Sequence, residues 1–248
     1  MQKKTKRKLN KKRFLGLLFF LIIIGVFITY LLNLKVSNVL IIGNKEIPDS
    51  TIIKKVNLRE HPYYKEIKKR NMEKEIKEIP LISEAKVTKY LTGTIKITVT
   101  EEVPLMYLGN TFKVVTNKNN VYENIEIKKT TMPTLKSDIA NDIRGLLVKA
   151  LNKIDINILN MISEIEYAKT VSSEGKTIDD KRFTFYMNDG NIAVVNTINI
   201  DKFNNYLKVV SKAIDTYGKD TSGTYNFDSG TSNVVFQKKD SEKNATEN

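Results

Sequence analysis

Hydrophobic and polar positions divide this chain into one unbroken apolar run and a longer stretch of short periodic segments. Phe14 to Leu34 contains no charge and is mostly Leu, Ile, Phe and Val. As an α-helix, a run of that length extends for about 31 Å, enough to cross a hydrocarbon layer of about 30 Å. A helix satisfies its own backbone hydrogen bonds inside lipid, so residues 14–34 are predicted to form a transmembrane helix. A cleaved signal peptide would have a shorter apolar core followed by a small-residue cleavage site. Tyr30-Leu31-Leu32-Asn33-Leu34-Lys35 offers no pair of small residues. The run therefore reads as an uncleaved anchor.

Beyond the span the periods change. Val39-Leu40-Ile41-Ile42 is a short apolar strand, and Gly43-Asn44-Lys45 is a turn. Pro48-Asp49-Ser50 opens a helix, with Asp49 or Ser50 as its cap and Ile52, Ile53 and Val56 as its apolar face. A second helix is predicted over 65–79 from Ile67, Met72, Ile76 and Ile79, and Pro80 ends it. Strands follow over 85–90 and 94–100. In the second, Ile95, Ile97 and Val99 alternate with Lys96, Thr98 and Thr100. This first module, residues 35–103, has the order β-α-α-β-β.

A second module is read from 104 to 237. Residues 105–107, 112–116 and 121–122 form short strands around the turn Asn117-Lys118-Asn119-Asn120. Residues 138–154 make a helix with Ile139, Ile143, Leu146, Leu147, Ala150, Leu151 and Ile154 on one stripe. A strand over 164–170 comes next. Phe183, Phe185 and Met187 alternate up to Asn188-Asp189-Gly190-Asn191, and Ile192 and Val194 continue beyond it, the pattern of a hairpin. Another helix covers 201–214, with Phe203, Tyr206, Leu207, Val210 and Ile214 inward. One last strand is expected over 225–236, broken or unbroken at Gly230. Residues 238–248 are polar and read as a disordered tail.

Charge changes the picture in one respect. Of 41 Lys and Arg, eight lie in the first 13 residues, which hold no acid. They form a basic leader, residues 1–13, that keeps this end in the cytoplasm and the rest outside, the type II arrangement. The remaining 33 cations face 28 acids, a surplus too small and scattered for nucleic acid. The leader instead suits anionic lipid at the membrane surface. The chain has no Cys, which excludes disulfides, thiol chemistry and a lipidated cysteine.

Candidate chemistry is sparse. His61, the one histidine, sits beside Pro62 without sequence-local partners. Gly175-Lys176-Thr177 imitates the end of a phosphate-binding loop, but position 170 is Thr where that motif needs Gly. Ser173 and Lys176 match S-x-x-K without its companion motifs. The adjacent pairs Glu101-Glu102 and Asp179-Asp180 would point to opposite faces of extended chain and suit solvation. Asn244-Ala245-Thr246 fits a glycosylation sequon in the tail. No catalytic constellation, metal site or cofactor site emerges, and no small-molecule substrate is implied. The chain reads as a binding protein.

The ordered set of features resembles a known family. The basic leader, the single span, Val39-Leu40-Ile41-Ile42-Gly43-Asn44, two helices ending at Ile79-Pro80, and the strand from Ile95 through Thr100-Glu101-Glu102 to Pro104 are similar to the bacterial division proteins of the FtsQ/DivIB family. The first module resembles their POTRA domain. The second resembles their β-domain, with Met132-Pro133-Thr134-Leu135 where the family has a Pro-Leu segment. Two departures stand out. Asn117-Lys118-Asn119-Asn120 replaces the family's Asp-x-x-Gly turn, and Tyr225-Asn226-Phe227-Asp228 replaces a Val-Asp-Leu-Arg-like run.

The resemblance implies an α+β architecture of one transmembrane helix, a POTRA-like domain and a mixed β-rich domain with flanking helices. It implies a non-enzymatic scaffold at the division septum. Its partners would be FtsB/DivIC-like and FtsL-like proteins, bound outside the membrane to regulate wall synthesis. Strand addition at an exposed sheet edge is the expected mode, with backbone bonds for affinity and alternate side chains for specificity. The last strand is the natural edge, so the candidate contacts are Tyr225, Phe227, Asp228, Ser229, Gly230, Val234, Val235 and Phe236. The competing role for Val234 and Phe236 is core filling. Rival functions are a membrane-anchored wall enzyme, which lacks a nucleophile motif here, and an envelope POTRA-type assembly factor.

Overall fold

The structure is a computed structural model that describes residues 10–125, 127–128, 131–219, 221–229 and 233–239. Most of the basic leader, Gly230 and the residues of the tail from 240 onward, with its sequon, lie outside the described residues. The chain divides into two compact units, Met1–Glu101 and Glu102–Asn248.

The first unit begins with helix α1, Lys11–Asn33, 23 residues long with no buried side chain of its own. Its polar side chains turn back onto its own carbonyls: Thr29 Oγ1 donates to Gly25 O at 2.8 Å and Asn33 Nδ2 to Thr29 O at 2.9 Å. That pairing lets polar groups sit in an apolar medium. The chain then forms strand β1 (Asn38–Ile42), helix α2 (Asp49–Lys55), helix α3 (Lys69–Lys77), strand β2 (Ile82–Lys89) and strand β3 (Thr94–Glu101). β3 lies in the middle of a three-stranded sheet, parallel to β1 and antiparallel to β2. The helices bury Ile52, Met72 and Ile76, and the sheet buries Val87, Ile95, Ile97 and Val99. The β-α-α-β-β order is the one the periodicities predict.

Two details differ from the pattern. α3 starts at Lys69 rather than near 65. The Lys89 ammonium accounts for this: it donates to the carbonyls of Tyr64 (2.5 Å) and Ile67 (3.0 Å) and lies 4.0 Å from the centre of the Tyr64 ring. Both carbonyls accept from this cation, Tyr64 O also closing a 3₁₀ turn from Ile67 N, and burial together with nearby Lys69 lowers the Lys89 pKa. At α2, the cap position is Pro48, and Asp49 is the first helical residue, accepting from Asn44 Nδ2 at 2.6 Å.

The second unit is built on one nine-stranded sheet. In chain order it contains β4 (Pro104–Leu108), β5 (Lys113–Thr116), β6 (Val121–Tyr122), β7 (Thr134–Leu135), α4 (Asn141–Leu151), α5 (Ile156–Leu159), β8 (Ile162–Tyr167), β9 (Thr170–Val171), β10 (Thr177–Asp179), β11 (Arg182–Met187), β12 (Ile192–Asn196), α6 (Tyr206–Tyr217), β13 (Gly223–Asn226) and β14 (Val235–Lys238). Strand order across the sheet is β14-β13-β12-β11-β8-β7-β4-β5-β6, and β9 and β10 form a separate two-stranded hairpin. The β4–β7, β7–β8 and β12–β13 pairs are parallel; β5 and β6 lie between the first pair in sequence, and helices carry the chain back between the other two. α4 and α5 make one return and α6 makes the other. Their apolar faces meet the sheet over Ile165, Phe183, Phe185, Ala193, Val195, Tyr225 and Phe227.

α4 starts later than the stripe from Ile139 suggests, because Lys136 N still bonds Ile165 O and Ser137 Oγ accepts from Tyr167 N. The helix predicted over 201–214 begins as a 3₁₀ segment, Ile200–Asn205, and continues as α6 to Tyr217. Leu207, expected inward, faces solvent. The supposed phosphate-loop fragment is the turn of the β9–β10 hairpin, with Gly175 at φ +79°. His61 is a turn residue at φ +48° whose Nδ1 lies 2.8 Å from Val36 O.

The two acidic pairs also differ from expectation. Glu101 accepts the backbone N–H groups of Lys45, Glu46 and Ile47 at 2.7–3.0 Å. Glu102 is buried and accepts from Thr116 Oγ1 at 2.6 Å and from Asn120 Nδ2 at 2.9 Å. Neither is merely solvated. Asp179 similarly binds Lys181 N and Asn196 Nδ2, both at 2.8 Å.

Candidate partner-binding edge

The segment expected as one last strand, broken or unbroken at Gly230, is two strands. β13 and β14 form an antiparallel hairpin with Gly223 opposite Lys238, Thr224 opposite Gln237, Tyr225 opposite Phe236 and Asn226 opposite Val235. β13 is held on its other side by β12, so β14 is the outermost strand. The chain reverses between Asn226 and Val235. The hairpin uses the free edge of β13 as the template for β14.

The reversal is fastened to the sheet by a charge. Arg182 Nε on β11 donates to Asp228 Oδ2 at 2.9 Å, and Asp228 N bonds the side-chain oxygen of Asn226 at 2.9 Å. Ser229 Oγ donates to the carbonyl of Asn233, and Lys202 Nζ reaches Ser229 O at 3.4 Å.

The side chains divide by face. Tyr225 and Phe227 are fully enclosed in the core with Phe203 and Tyr206. Both were expected to meet a partner, but their side chains belong to the core because odd positions of β13 point toward the helices. Burial and the nearby Asp189 charge raise the Tyr225 pKa, and its hydroxyl has no hydrogen-bond partner among the described residues. Phe236 is half-buried: its ring centre lies 4.6 Å from that of Tyr225 and 5.5 Å from that of Tyr217. Val234 packs at the edge of the same core. Val235, on the opposite face, is 56% exposed. Asp228 and Ser229 lie in the reversal, half-buried, and Gly230 is outside the described residues.

The main chain of β14 is the more informative surface. Lys239 N bonds Ser222 O at 2.9 Å, which makes that pair hydrogen-bonded. Antiparallel ladders alternate, so Gln237 and Val235 also turn their N–H and C=O groups inward to β13. Phe236 and Lys238 turn theirs outward. Phe227 N bonds Val194 O at 2.8 Å on the other side of the hairpin, in phase with this assignment.

Sequence reasoning missed four residues that build the edge. Gly223 permits it: a Cβ there would lie 2.3 Å from Gln237 O and 2.6 Å from the Phe236 ring. Its N–H donates to the Asn191 side chain at 3.0 Å. Arg182 and Tyr217 were passed over because an Arg at a strand start and a Tyr at a helix end carry no local signal. Asn191 follows the Asp189-Gly190 turn and is 4% exposed, a buried amide no periodicity reveals.

A single apolar span, a POTRA-like β-α-α-β-β unit and a second unit whose sheet ends on an open strand define a membrane-anchored POTRA protein. The family description "POTRA domain, FtsQ-type" matches residues 34–102. Cell division protein DivIB of Brevibacillus brevis is 26% identical over 227 residues, covering 88% of this chain and 83% of the relative. DivIB of Bacillus subtilis is 24% identical over 246 residues, covering 97% of this chain and 89% of that one. The solved extracytoplasmic domain of DivIB from Geobacillus stearothermophilus aligns with 48% of this chain and 99% of its own length, at 21% identity and a TM-score of 0.36. The chain is thus similar over most of its length to DivIB cell division proteins, and its residues 34–102 match an FtsQ-type POTRA domain.

Proposed function

We propose that this protein is a component of the bacterial divisome, a non-enzymatic scaffold that captures DivIC/FtsB-like and FtsL-like partners at the septum. Its leader stays in the cytoplasm and both units lie outside, where capture regulates septal wall synthesis. The DivIB relatives, similar over most of the chain, support the division role. The basic leader supports the orientation.

One observation carries the mode of capture: β14 is an edge strand whose Phe236 and Lys238 main-chain groups face away from the sheet. A partner strand pairing there would gain backbone bonds from those two residues and side-chain contact with Val235 on the open face. Lys238→Pro in the full-length chain removes an outward donor, and proline is tolerated at sheet edges. Capture of a DivIC/FtsL-type pair should fall by about tenfold, the loss of roughly one to two interfacial hydrogen bonds. Undiminished capture by a folded variant would exclude strand addition at this edge. Imaging a fluorescent fusion through one division cycle tests the wider reading, since a uniform envelope signal throughout is incompatible with a septal scaffold.

A further inference from the structure

The exit of the span and the first unit are joined by main-chain bonds. Leu34 O accepts from Tyr64 N at 2.8 Å, Val36 N donates to Pro62 O at 3.0 Å, and Lys35 bridges Tyr63. Ser37 N donates to Gly93 O at 3.0 Å. One contact reaches back into the span itself: Tyr30 Oη donates to Leu91 O at 3.2 Å. Gly93, at φ +84°, makes the approach possible, since a Cβ there would lie 2.6 Å from Lys35 O.

These contacts fix a height. Leu34 ends the apolar run, and Tyr30 lies one turn earlier, where a tyrosine hydroxyl reaches the headgroup level. The tip of the β2–β3 turn meets that hydroxyl, so the tip is also at the membrane-water boundary. Its composition is unusual for a turn in water. Exposed turns favour Gly, Pro, Asn, Asp and Ser. Here Tyr90 is 45% exposed and Leu91 58% exposed. Beside the span's exit, Tyr63 is exposed as well, with the Lys35 and Lys65 amines 5.1 and 5.2 Å from its ring centre. Neither amine is paired with an acid among the described residues.

We propose that the β2–β3 tip, with Tyr63, Lys35 and Lys65, is a membrane-docking face that sets Tyr90 and Leu91 into the outer-leaflet interface and binds anionic phospholipid headgroups. Tyrosine rings favour that zone, and cations beside it attract anionic headgroups. The face rests on the reading of α1 as an uncleaved span with the first unit outside. It would hold the unit in one orientation to the bilayer.

The chain has no Trp, so one substitution creates a unique fluorescent reporter. Full-length Leu91→Trp, Phe19→Trp and Ile42→Trp are each reconstituted in vesicles of phosphatidylcholine and phosphatidylglycerol, with and without bromine on the upper acyl carbons. Phe19 lies within α1, and Ile42 lies at the end of β1 farthest from the span. The Leu91→Trp emission should shift to shorter wavelength and lose about half its intensity to brominated lipid, as for an interfacial residue. Ile42→Trp should stay water-like. Omitting phosphatidylglycerol, or adding Lys65→Glu, should weaken the Leu91→Trp quenching. Quenching indifferent to both changes overturns the headgroup assignment. A water-like Leu91→Trp beside a quenched Phe19→Trp overturns the docking face and leaves the anchor standing. An unquenched Phe19→Trp overturns the anchor itself. Equal quenching at Ile42 and Leu91 overturns a face confined to the tip.

Discussion

Arg182 and Asp228 stand 46 residues apart in sequence, and the 2.9 Å bond between them fastens the reversal before β14 to the start of β11. The Asp228 side chain is 13% exposed and the Arg182 side chain 31%, so the pair is partly screened by water. Arg182→Ala should cost about 1 kcal/mol of stability, consistent with a partly exposed charge-assisted bond. Its larger effect should be local. Amide exchange in β14 should quicken while exchange in β8 is unchanged, which hydrogen-exchange mass spectrometry resolves.

The neighbours Glu101 and Glu102 should give opposite results in the same experiment. Glu101→Ala orphans three N–H groups at residues 45–47, and Glu102→Ala leaves Thr116 and Asn120 without their acceptor. Each change should cost about 2 kcal/mol. Exchange should rise within residues 38–101 for the first and within residues 104–122 for the second. If both substitutions loosen the same segment, the two carboxylates do not serve separate units.

Alkali should act through the buried tyrosines. Tyr206 donates to both carboxylate oxygens of Asp189 at 2.8 and 2.9 Å, and burial followed by that bond raises its pKa far above the ordinary 10. Burial raises that of Tyr225 as well. Both groups bind their protons more tightly when folded. The resulting stability is complete below about pH 10, the unfolded value, and is lost as pH climbs above it. The 295 nm absorbance of these two phenols should therefore appear only with unfolding of the second unit. Tyr206→Phe should lower the melting temperature at pH 8 and flatten the fall in stability above pH 10.

Gly223→Ala should open the hairpin rather than the sheet as a whole. The added Cβ meets the Gln237 carbonyl and the Phe236 ring, and the carbonyl cannot yield without breaking the β13–β14 register. The cost should be about 2 kcal/mol, that of overpacking at a close contact. Partner capture should fall together with protection of the β14 amides. A variant that loses protection yet captures normally would place the binding surface elsewhere.

Long-period features were legible in the chain and short-range chemistry was not. Phe14 to Leu34 declares a span through length alone, and Ile95, Ile97 and Val99 declare a strand through alternation. Phe183, Phe185 and Met187 likewise mark a central strand whose inward residues are all buried. β7 and the β9–β10 hairpin are too short to carry a period. Of the candidate edge contacts, Tyr225 and Phe227 have side chains enclosed in the core. Tyr225 and Phe227 look like edge contacts because their burial comes from α6, whose inward face arrives from elsewhere in sequence. The roles of Glu101 and Glu102 were misread for a related reason: three backbone donors in one case, and Thr116 and Asn120 in the other, come from turns that no local pattern connects to them.

β7 is two residues long and paired on both sides, so among the described residues the main-chain bonding between the β4-β5-β6 and β8-to-β14 portions of the sheet passes through the short segment 133–136. What unites the portions is mainly shared apolar packing, in which Leu105, Met106 and Val115 join one core with Leu147, Leu151 and Ile165. Apolar burial weakens on cooling, whereas a hydrogen-bonded ladder does not follow that dependence. The second unit therefore has a seam that is sensitive to cold: near freezing, its two portions should begin to part along β7 while the ladders on either side remain closed.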